Sequence, residues 1–205
     1  MASERQAHWQ GVYTTKGSDA VSWFQPSPEP SLRMMDALGI KAPASLIDVG
    51  GGASTLVDEL VARGFKVTVL DIAEAALAIS RERLGEAAKG VEWRVVDITI
   101  WRPDRVYDVW HDRAVFHFLT EAGDRERYIA ALKAGLAPGG AAIFATFAED
   151  GPERCSGLPV VRYSADTLAT ELGPDFALAH HTRETHLTPW GSEQSFTWAG
   201  FRRAA

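Results

Sequence analysis

Short apolar runs that are rich in β-branched and aromatic residues recur along the middle of the chain. They occupy residues 45–50, 66–71, 91–96, 106–111 and 140–147, and Gly, Asp or Pro residues bound them. Runs of this length and composition predict β-strands. Several of them are apolar nearly throughout, which is typical of strands that are covered on both faces.

Between these runs, apolar residues recur at the three- and four-residue spacing of helices. The predicted helices cover residues 55–63, 73–84 and 124–136, and Gly64 provides a stop signal for the first of them. Strands that alternate with helices indicate βαβ units. The middle of the chain is therefore predicted to form a five-stranded parallel core.

After residue 147 the pattern changes. A loop rich in Gly and Pro over residues 148–159 precedes a predicted helix at 165–172 and two predicted strands at 176–182 and 195–201. These strands would add an antiparallel pair to the parallel core. We therefore predict an α/β fold: a doubly wound, seven-stranded sheet, mostly parallel with an antiparallel C-terminal hairpin, and helices on both faces.

The first 44 residues form a separate region ahead of the sheet. A helix is predicted at about residues 31–38, and an arm with several aromatic residues precedes it: Trp9, Tyr13, Trp23 and Phe24. A chain of 205 residues fits one domain. We expect a single domain over 1–205, made of this arm and helix (1–44), a core (45–147), and a loop with the C-terminal hairpin (148–205).

Composition and charge narrow the classes of partner. The net charge of −6 gives no support to nucleic-acid binding, and no apolar run approaches the length of a membrane span. With Cys155 as the one cysteine and no signal-peptide pattern in residues 1–10, we expect a cytoplasmic protein. The spacing of His180, His181 and His186 does not indicate a metal site. Monomer and homodimer both remain open.

The first predicted strand runs directly into Asp48-Val49-Gly50-Gly51-Gly52 and then into a helix. Glycines allow the backbone to approach a ligand closely. A dinucleotide site would need a third glycine at position 55, where the chain has Thr55. Asp48 would repel a pyrophosphate and attract a ligand that carries an ammonium and a sulfonium. The turn therefore predicts a site for a cationic ligand without phosphates.

Three aspartates end three successive strands, at the edge where doubly wound sheets bind ligands. After Asp48, the second is Asp71, which is suited to accept hydrogen bonds from two ribose hydroxyls; the alternative is that it caps the next helix. The third is Asp97, suited to accept a hydrogen bond from an adenine amine, with Ile98 packed against the ring.

With these features, residues 46–147 resemble the class I S-adenosylmethionine (SAM)-dependent methyltransferases. The resemblance implies SAM as cofactor and S-adenosylhomocysteine (SAH) as product. It implies that the loop from Asp48 through Gly50, Gly51 and Gly52 holds the methionine part, that Asp71 and Ile72 hold the ribose, that Asp97 and Ile98 hold the adenine, and that Asp112 and Arg113 lie beside the methionine end. Ser54 stands where a further glycine is common.

Methyl transfer is an in-line displacement that depends chiefly on alignment of the reactants. If a general base takes part, His117 is the candidate, since it follows strand four and an imidazole accepts a proton near neutral pH; the alternative is a structural histidine. We expect His111 to be buried and hydrogen-bonded. Aromatic faces attract cations, so an aromatic lid is expected to contact the sulfonium or a lysine ammonium, with Tyr13 and Trp23 assigned to the cofactor. The lid would comprise Trp9, Tyr13, Trp23, Phe24 and Trp190, and the alternative for each is packing in the core.

The leading hypothesis is a SAM-dependent methyltransferase that acts on a small-molecule acceptor. A protein lysine methyltransferase is the first alternative, suggested by the N-terminal arm and its aromatic residues. A SAM-binding sensor or scaffold without transfer activity is the second. A nicotinamide oxidoreductase is disfavoured by the charge of Asp48.

Overall fold

A computed structural model describes residues 4–15, 17 and 19–205. Its strands are β1 (Ser45–Val49), β2 (Lys66–Asp71), β3 (Glu92–Val95), β4 (Tyr107–Arg113), β5 (Leu136–Phe147), β6 (Arg154–Cys155), β7 (Leu158–Pro159), β8 (Phe176–Leu187) and β9 (Glu193–Arg203). Seven of them form one sheet in the order β3-β2-β1-β4-β5-β9-β8, while β6 and β7 pair separately. The predicted fold class is confirmed.

The helices are α1 (Glu4–Thr15), α2 (Glu29–Ala37), α3 (Leu56–Ala62), α4 (Glu74–Leu84), α5 (Ala122–Gly135) and α6 (Ala165–Leu172), with short 3-10 helices at Gly85–Gly90 and Phe116–Phe118. Strands β1 to β5 are parallel, and β9 is antiparallel to both β5 and β8. Within the described ranges, the helices include none that is long and apolar enough to cross a bilayer.

Side chains that alternate along the strands cover the two faces of the sheet. On one face, Trp110 and Phe144 pack with apolar residues of α5 and α6. On the other, Val69 and Ile143 pack with residues of α2, α3 and α4. The central strands are therefore buried on both sides, which explains their nearly continuous apolar sequence.

The largest differences from the prediction concern the N-terminal arm and strand β8; β5 also begins at Leu136 rather than at 140, and β6 and β7 pair within the predicted loop 148–159. The N-terminal arm contains the helix α1, in which Val12 is the buried residue, so the apolar spacing that would have predicted a helix is weak. Strand β8 continues to Leu187, five residues beyond its predicted end. The prediction stopped early because the middle of this edge strand is largely exposed and polar. The polar sequence of β8 therefore gives no strand signal at its end, although β8 pairs with β9 along its length.

The strand order reverses between β1 and β4, which are neighbours in the sheet. In doubly wound sheets, ligands bind beyond the carboxyl ends of the strands at such a switch point. The turn at Gly50–Gly52 and the end of β4 at Arg113 both lie there. The fold thus brings the predicted loop and the predicted acids to one edge of the sheet.

Candidate functional site

The glycine turn after β1 passes directly against two carboxylates. A Cβ atom at Gly51 would lie 2.5 Å from Oδ2 of Asp48, and one at Gly52 would lie 2.7 Å from Oδ2 of Asp71. Real Cβ atoms do not approach other atoms so closely, so a side chain at either position would displace an acid. The glycines and the acids of the predicted motif therefore depend on each other sterically.

Asp48 is buried, with 2% of its surface exposed. Its Oδ1 lies 2.7 Å from Nδ1 of His111, whose Nε2 lies 3.0 Å from Oγ of Ser31. The prediction that His111 is buried and hydrogen-bonded is confirmed. Oδ2 of Asp48 has no hydrogen-bond partner among the described residues. A buried acceptor of this kind fits the ammonium group of a ligand.

Asp71 is buried at the end of β2, where its Oδ1 accepts a hydrogen bond of 2.8 Å from the N–H of Ala73. Burial raises the pKa of its carboxyl to about 7, and the nearby charge of Asp48 acts in the same direction. Asp71 therefore has one oxygen engaged in the turn that leads to α4, while its other oxygen lies beside Gly52.

Asp97 follows β3 and has partners for both oxygens. Its Oδ1 accepts hydrogen bonds from the N–H of Thr99 at 2.9 Å and from the Thr99 hydroxyl at 2.8 Å. Its Oδ2 accepts one from Nη1 of Arg5 at 3.1 Å. The protein thus holds both oxygens of Asp97, whereas Asp48 has one oxygen without a partner among the described residues.

Helix α1 lies across the ends of β2 and β3 through polar contacts. Nη2 of Arg5 donates to Asp124 on α5 at 2.5 Å, while Nη1 of the same side chain reaches Asp97. Farther along the helix, Oε1 of Gln10 accepts a hydrogen bond from the N–H of Ala75 on α4 at 3.2 Å. Arg5 was not among the predicted site residues; its spacing of four from Trp9 is the signal that could have revealed a helix face.

Aromatic side chains of α1 and of the segment that follows it form a wall beside the strand ends. Nε1 of Trp23 donates to the hydroxyl of Tyr13 at 3.2 Å. The ring of Trp9 packs edge-on against Trp23 and against Phe118, with centroids 5.6 and 4.9 Å apart. Trp190, by contrast, is 61% exposed on the β8–β9 hairpin.

A cavity of about 710 Å³ lies between this wall and the sheet. Eight of the predicted site residues line it: Tyr13, Trp23, Gly50, Asp71, Ile72, Asp97, Ile98 and Arg113. Arg5, Trp9 and Phe118 contribute to the same lining. We call it the adenosine cavity, after the predicted roles of Asp71 and Asp97.

A second cavity of about 580 Å³ shares Tyr13, Trp23, Gly50 and Arg113 with the first, so the two adjoin. It adds two predicted residues to the site, namely Asp48 and Gly51. We call it the methionine cavity. Of the predicted site residues, Gly52, Asp112 and His117 line neither cavity.

Asp112 precedes Arg113 on β4 but points to the opposite face, as alternate residues of a strand do. Its Oδ2 accepts a hydrogen bond of 2.5 Å from the Tyr128 hydroxyl, and its Oδ1 accepts from the N–H groups of Val115 and Phe116. Burial raises its pKa to about 6. The structure thus does not bring Asp112 to the cavities; it shapes the turn after β4.

Arg113 lies on the wall that the two cavities share. Its Nη1 donates to the carbonyl of Trp23 at 2.8 Å, and its Cζ lies 5.3 Å from the ring centroid of Phe196. Nε and Nη2 are buried and have no partner in the described part of the chain. Burial lowers the pKa of the guanidinium to about 10, so it remains charged at neutral pH.

His117 is fully buried between the rings of Phe118 and Phe147. Its Nδ1 accepts a hydrogen bond of 3.1 Å from the N–H of Phe147. Burial, followed by the charge of Arg113, lowers its pKa to about 3. A general base must reach the proton that it removes. This placement outside the cavities favours a structural histidine, which ties the turn after β4 to β5, over a general base.

Known proteins resemble this chain in sequence. Residues 47–142 match a family described as a methyltransferase domain. EEF1A lysine methyltransferase 2 of Danio rerio is 28% identical over 149 residues, covering 65% of this chain and 64% of that protein. Nodulation protein S of Rhizobium tropici is 25% identical over 101 residues, covering 49% of this chain and 42% of that protein. Both matches span less than two thirds of the relative's length.

Solved structures resemble this chain in fold. One is Burkholderia thailandensis 1,6-didemethyltoxoflavin-N1-methyltransferase with bound 1,6-didemethyltoxoflavin and SAH. It has a TM-score of 0.73 and 19% identity, over 98% of this chain and 88% of that chain. Residues 47–142 thus match a methyltransferase domain, and the chain shares the fold of this solved methyltransferase.

Proposed function

We propose that this protein transfers a methyl group from SAM to a small-molecule acceptor. SAM supplies a methyl group on a sulfonium, which passes in line to the acceptor and leaves SAH. The observation that carries the proposal is the pair of adjoining cavities at the switch point of a methyltransferase domain. One has acids placed for a ribose and an adenine, and the other has an unpaired buried acid.

In this proposal the two cavities hold different parts of the cofactor. Asp71 and Ile72 hold the ribose, and Asp97 and Ile98 hold the adenine. The turn at Gly50–Gly52 and Asp48 hold the methionyl part. Tyr13 and Trp23 line both cavities, and their rings are suited to contact the sulfonium.

The wall formed by α1 and Trp23 favours a small acceptor. Trp9, Trp23 and Phe118 cover the adenosine cavity, so an acceptor has to fit inside a partly enclosed space. Alignment of two reactants in such a space supplies much of the catalysis of a displacement, roughly 7–11 kcal/mol in well-oriented systems. A structural relative bound to a small heterocyclic acceptor supports the same choice.

A protein lysine methyltransferase is the second candidate. The similarity to EEF1A lysine methyltransferase 2 favours it. So does the aromatic cluster of Trp9, Tyr13, Trp23 and Phe118, since aromatic faces attract ammonium groups. It predicts a methylated protein in a lysate rather than a methylated small molecule.

Other parts of the proposal rest on the sequence. We place the activity in a single domain over residues 1–205 and in the cytoplasm, since Cys155 is the one cysteine and is buried and free. The net charge of −6 is unsuited to a nucleic-acid partner.

The first test is calorimetric titration with SAM, SAH and NAD. Wild type should bind SAM and SAH but not NAD, and Asp71→Ala should weaken that binding. Asp108→Ala is the matched control, since Asp108 lies at the other end of β4 beside Ser45. Binding of NAD alone would overturn the proposal.

The second test follows a labelled methyl group. Purified protein with methyl-labelled SAM is given a panel of small amines, thiols and phenols, and separately a protein lysate. Label in a small product supports the proposal, and label in protein supports the lysine alternative. Tight SAM binding without label in either fraction would indicate a sensor or scaffold.

A further inference from the structure

We infer that the methyl acceptor reacts as an anion, namely a phenolate, carboxylate or thiolate, and that Arg113 binds this anion beside the methyl group. The inference rests on the proposed function, which it deepens by naming the class of acceptor. Arg113 is thereby assigned as a residue that determines acceptor specificity. It belongs to the junction of the two cavities, by which we mean the four residues that line both: Tyr13, Trp23, Gly50 and Arg113.

The junction is the place where the methyl group has to lie. In the proposed function the adenosine occupies one cavity and the methionyl part occupies the other, and the sulfur of SAM links these two parts. The sulfonium and its methyl group therefore lie between the cavities, beside the four residues of the junction. An acceptor atom has to approach the methyl group at this place for an in-line displacement.

The junction carries a positive charge that the described part of the chain does not neutralise with an ion pair. Arg113 is the charged residue of the four, and Glu184 and Asp48 are the acids that influence it. The Glu184 carboxylate, however, accepts hydrogen bonds from Gln25 at 2.7 Å and from Trp198 at 2.6 Å. The sulfonium of SAM adds a second positive charge. The junction therefore attracts an anion and repels an ammonium.

The other titratable groups around Arg113 do not supply a negative charge. Burial raises the pKa of the Cys155 thiol and of the Tyr13 hydroxyl, so both are neutral at pH 7. Burial lowers the pKa of His117 and of His186, and the charge of Arg113 acts in the same direction on both. An anionic acceptor is thus the counter-charge that these elements leave to a ligand.

Arg113 also has donors for such an anion. Its Nε and Nη2 are buried without a partner among the residues that the structure describes, while Trp23 and Phe196 fix the guanidinium through Nη1 and through one face of the group. Buried polar groups are normally paired, so the exception requires an explanation. Nε and Nη2 are adjacent nitrogens of one planar fork, which matches the two oxygens of a carboxylate or the single oxygen of a phenolate.

The described lining of the cavities offers no free base for the acceptor. His111 has both ring nitrogens engaged, and Asp97 has both oxygens engaged. Asp48 and Asp71 hold the cofactor in the proposed function, and His117 lies outside both cavities. An acceptor that has already lost its proton to solvent needs no base. Its lone pair then forms the bond to the methyl carbon, while the carbon–sulfur bond breaks and its electron pair stays on the sulfur of SAH.

The first experiment measures the binding of small probes to SAH-saturated protein by NMR. Acetate is compared with acetamide, which has the same shape without the charge, and with methylammonium. Acetate should bind to wild type about 10- to 100-fold more tightly than acetamide, and Arg113→Met should weaken acetate binding by a similar factor. Arg33→Met is the matched control, because Arg33 lies outside both cavities and should leave acetate binding unchanged.

Cofactor binding to Arg113→Met separates this role from a role in holding the cofactor. SAH is compared with 5′-methylthioadenosine, which keeps the adenosine and the sulfur but lacks the amino acid group. The affinities for both should stay within about twofold of wild type, since the acceptor anion is bound independently of the cofactor's own groups. A loss for SAH alone would assign the donors of Arg113 to the carboxylate of the cofactor and would overturn the inference.

The second experiment is a pH profile of transfer from methyl-labelled SAM. Label should enter phenols, thiols or carboxylic acids rather than alkylamines. For a labelled phenol or thiol, kcat/KM should rise with pH and level at about 1–3 pH units below the pKa of the free acceptor, because the guanidinium stabilises the anion. Arg113→Met should move the profile back towards that pKa. A merely structural role would lower the rate at every pH without moving the profile.

Equal binding of acetate and acetamide to wild type, or acetate binding that persists in Arg113→Met, would overturn the inference. Label found only in amines or in protein would overturn it as well, while leaving the protein a methyltransferase. Failure of wild type to bind SAH, or the absence of label from every acceptor, would instead count against the proposed function, and the inference would fall with it. If Arg113→Met does not fold, Arg113→Lys provides the test, since it keeps the charge without the fork and should retain part of the shift in the profile; an unchanged preference for acetate and an unmoved profile in Arg113→Lys would contradict the assignment of the fork.

Discussion

The adenosine cavity and the methionine cavity differ in how far the protein satisfies its own polar groups. In the first, Asp71 is held by Ala73, and Asp97 is held by Thr99 and Arg5. In the second, Asp48 keeps a buried atom without a partner in the described part of the chain, and so does Arg113 on the wall that the two cavities share. A ligand would extend a satisfied network at one end and complete an unsatisfied one at the other.

The difference indicates where binding free energy is concentrated. Leaving a buried polar group unpaired costs about 1–3 kcal/mol, and more for a charge. A ligand that pairs such a group recovers that cost, whereas one that adds to a satisfied carboxylate gains less. We therefore expect substitutions in the methionine cavity to weaken binding of the whole cofactor more than substitutions in the adenosine cavity.

The largest effect is expected for Asp48→Asn. The amide keeps the shape but removes the charge that faces the ammonium, so the affinity for SAH should fall by about 100-fold. The affinity for 5′-methylthioadenosine should change far less, because it lacks the ammonium. Calorimetry with both ligands checks this, with Asp108→Asn as the control. Equal losses for the two ligands would contradict the comparison.

A smaller effect, shared by both ligands, is expected for Asp71→Asn. The amide oxygen still accepts a hydrogen bond from Ala73, but the charged acceptor for the ribose hydroxyls is lost. The affinities for SAH and 5′-methylthioadenosine should fall together by about tenfold. A loss confined to SAH would show that Asp71 acts on the methionyl end. It would contradict the proposal that Asp71 holds the ribose in the adenosine cavity.

The pH dependence of ligand affinity tests the role of the Asp71 carboxylate in the adenosine cavity. Because the pKa of Asp71 is about 7, raising the pH from 6 to 8 ionises a carboxylate that ribose hydroxyls favour in that form. The affinity for 5′-methylthioadenosine should therefore rise by up to about tenfold over this range and then level. In Asp71→Asn it should stay flat, and a rise in that variant would assign the titration to another group.

In the absence of ligand, the contribution of Asp71 to the free energy of unfolding should fall as the pH rises, whereas the affinity for the ligand rises. Between about pH 4 and pH 7 the folded state keeps the proton of Asp71 that the unfolded state releases, so unfolding becomes easier as the pH rises. Relative to wild type, Asp71→Asn should gain stability over this range. Urea unfolding at a series of pH values measures the difference, in which the opposite contribution of His117 cancels.

The smallest effect is expected for Arg5→Gln. Arg5 bridges Asp97 and Asp124, but about a third of its side chain is exposed, so solvent screens the bridge. Affinity should change less than about fivefold for both ligands, chiefly through faster dissociation in stopped-flow measurements. High salt should bring wild type towards the variant. Arg33→Gln, which alters an exposed pair with Glu29, is the control.

Most of the parallel core was predictable because its central strands are buried on both faces. Their apolar runs appear in the sequence without knowledge of their neighbours, and the acids at their ends follow from strand order. Helix α1 was not predictable in this way, since its contacts are made by Arg5, Trp9 and Gln10 rather than by an apolar stripe.

The directions of the side chains at the end of β4 and just after it could not be predicted from the sequence either. The predicted strand ended at residue 111, whereas β4 extends to Arg113, so the alternation that sends Asp112 to one face and Arg113 to the other was not visible. The orientation of His117 depends on the short helix Phe116–Phe118, which turns the imidazole into the core. Spacing from a strand end cannot specify such a turn.

The position of α1 has a kinetic consequence. The helix is attached to α5 through Arg5 and to α4 through Gln10, and its aromatic residues cover the adenosine cavity. If spent cofactor has to leave beneath this cover, exchange of ligands becomes a step of its own in each catalytic cycle. The maximal turnover number would then be the same for all acceptors whose methyl transfer is faster than that step.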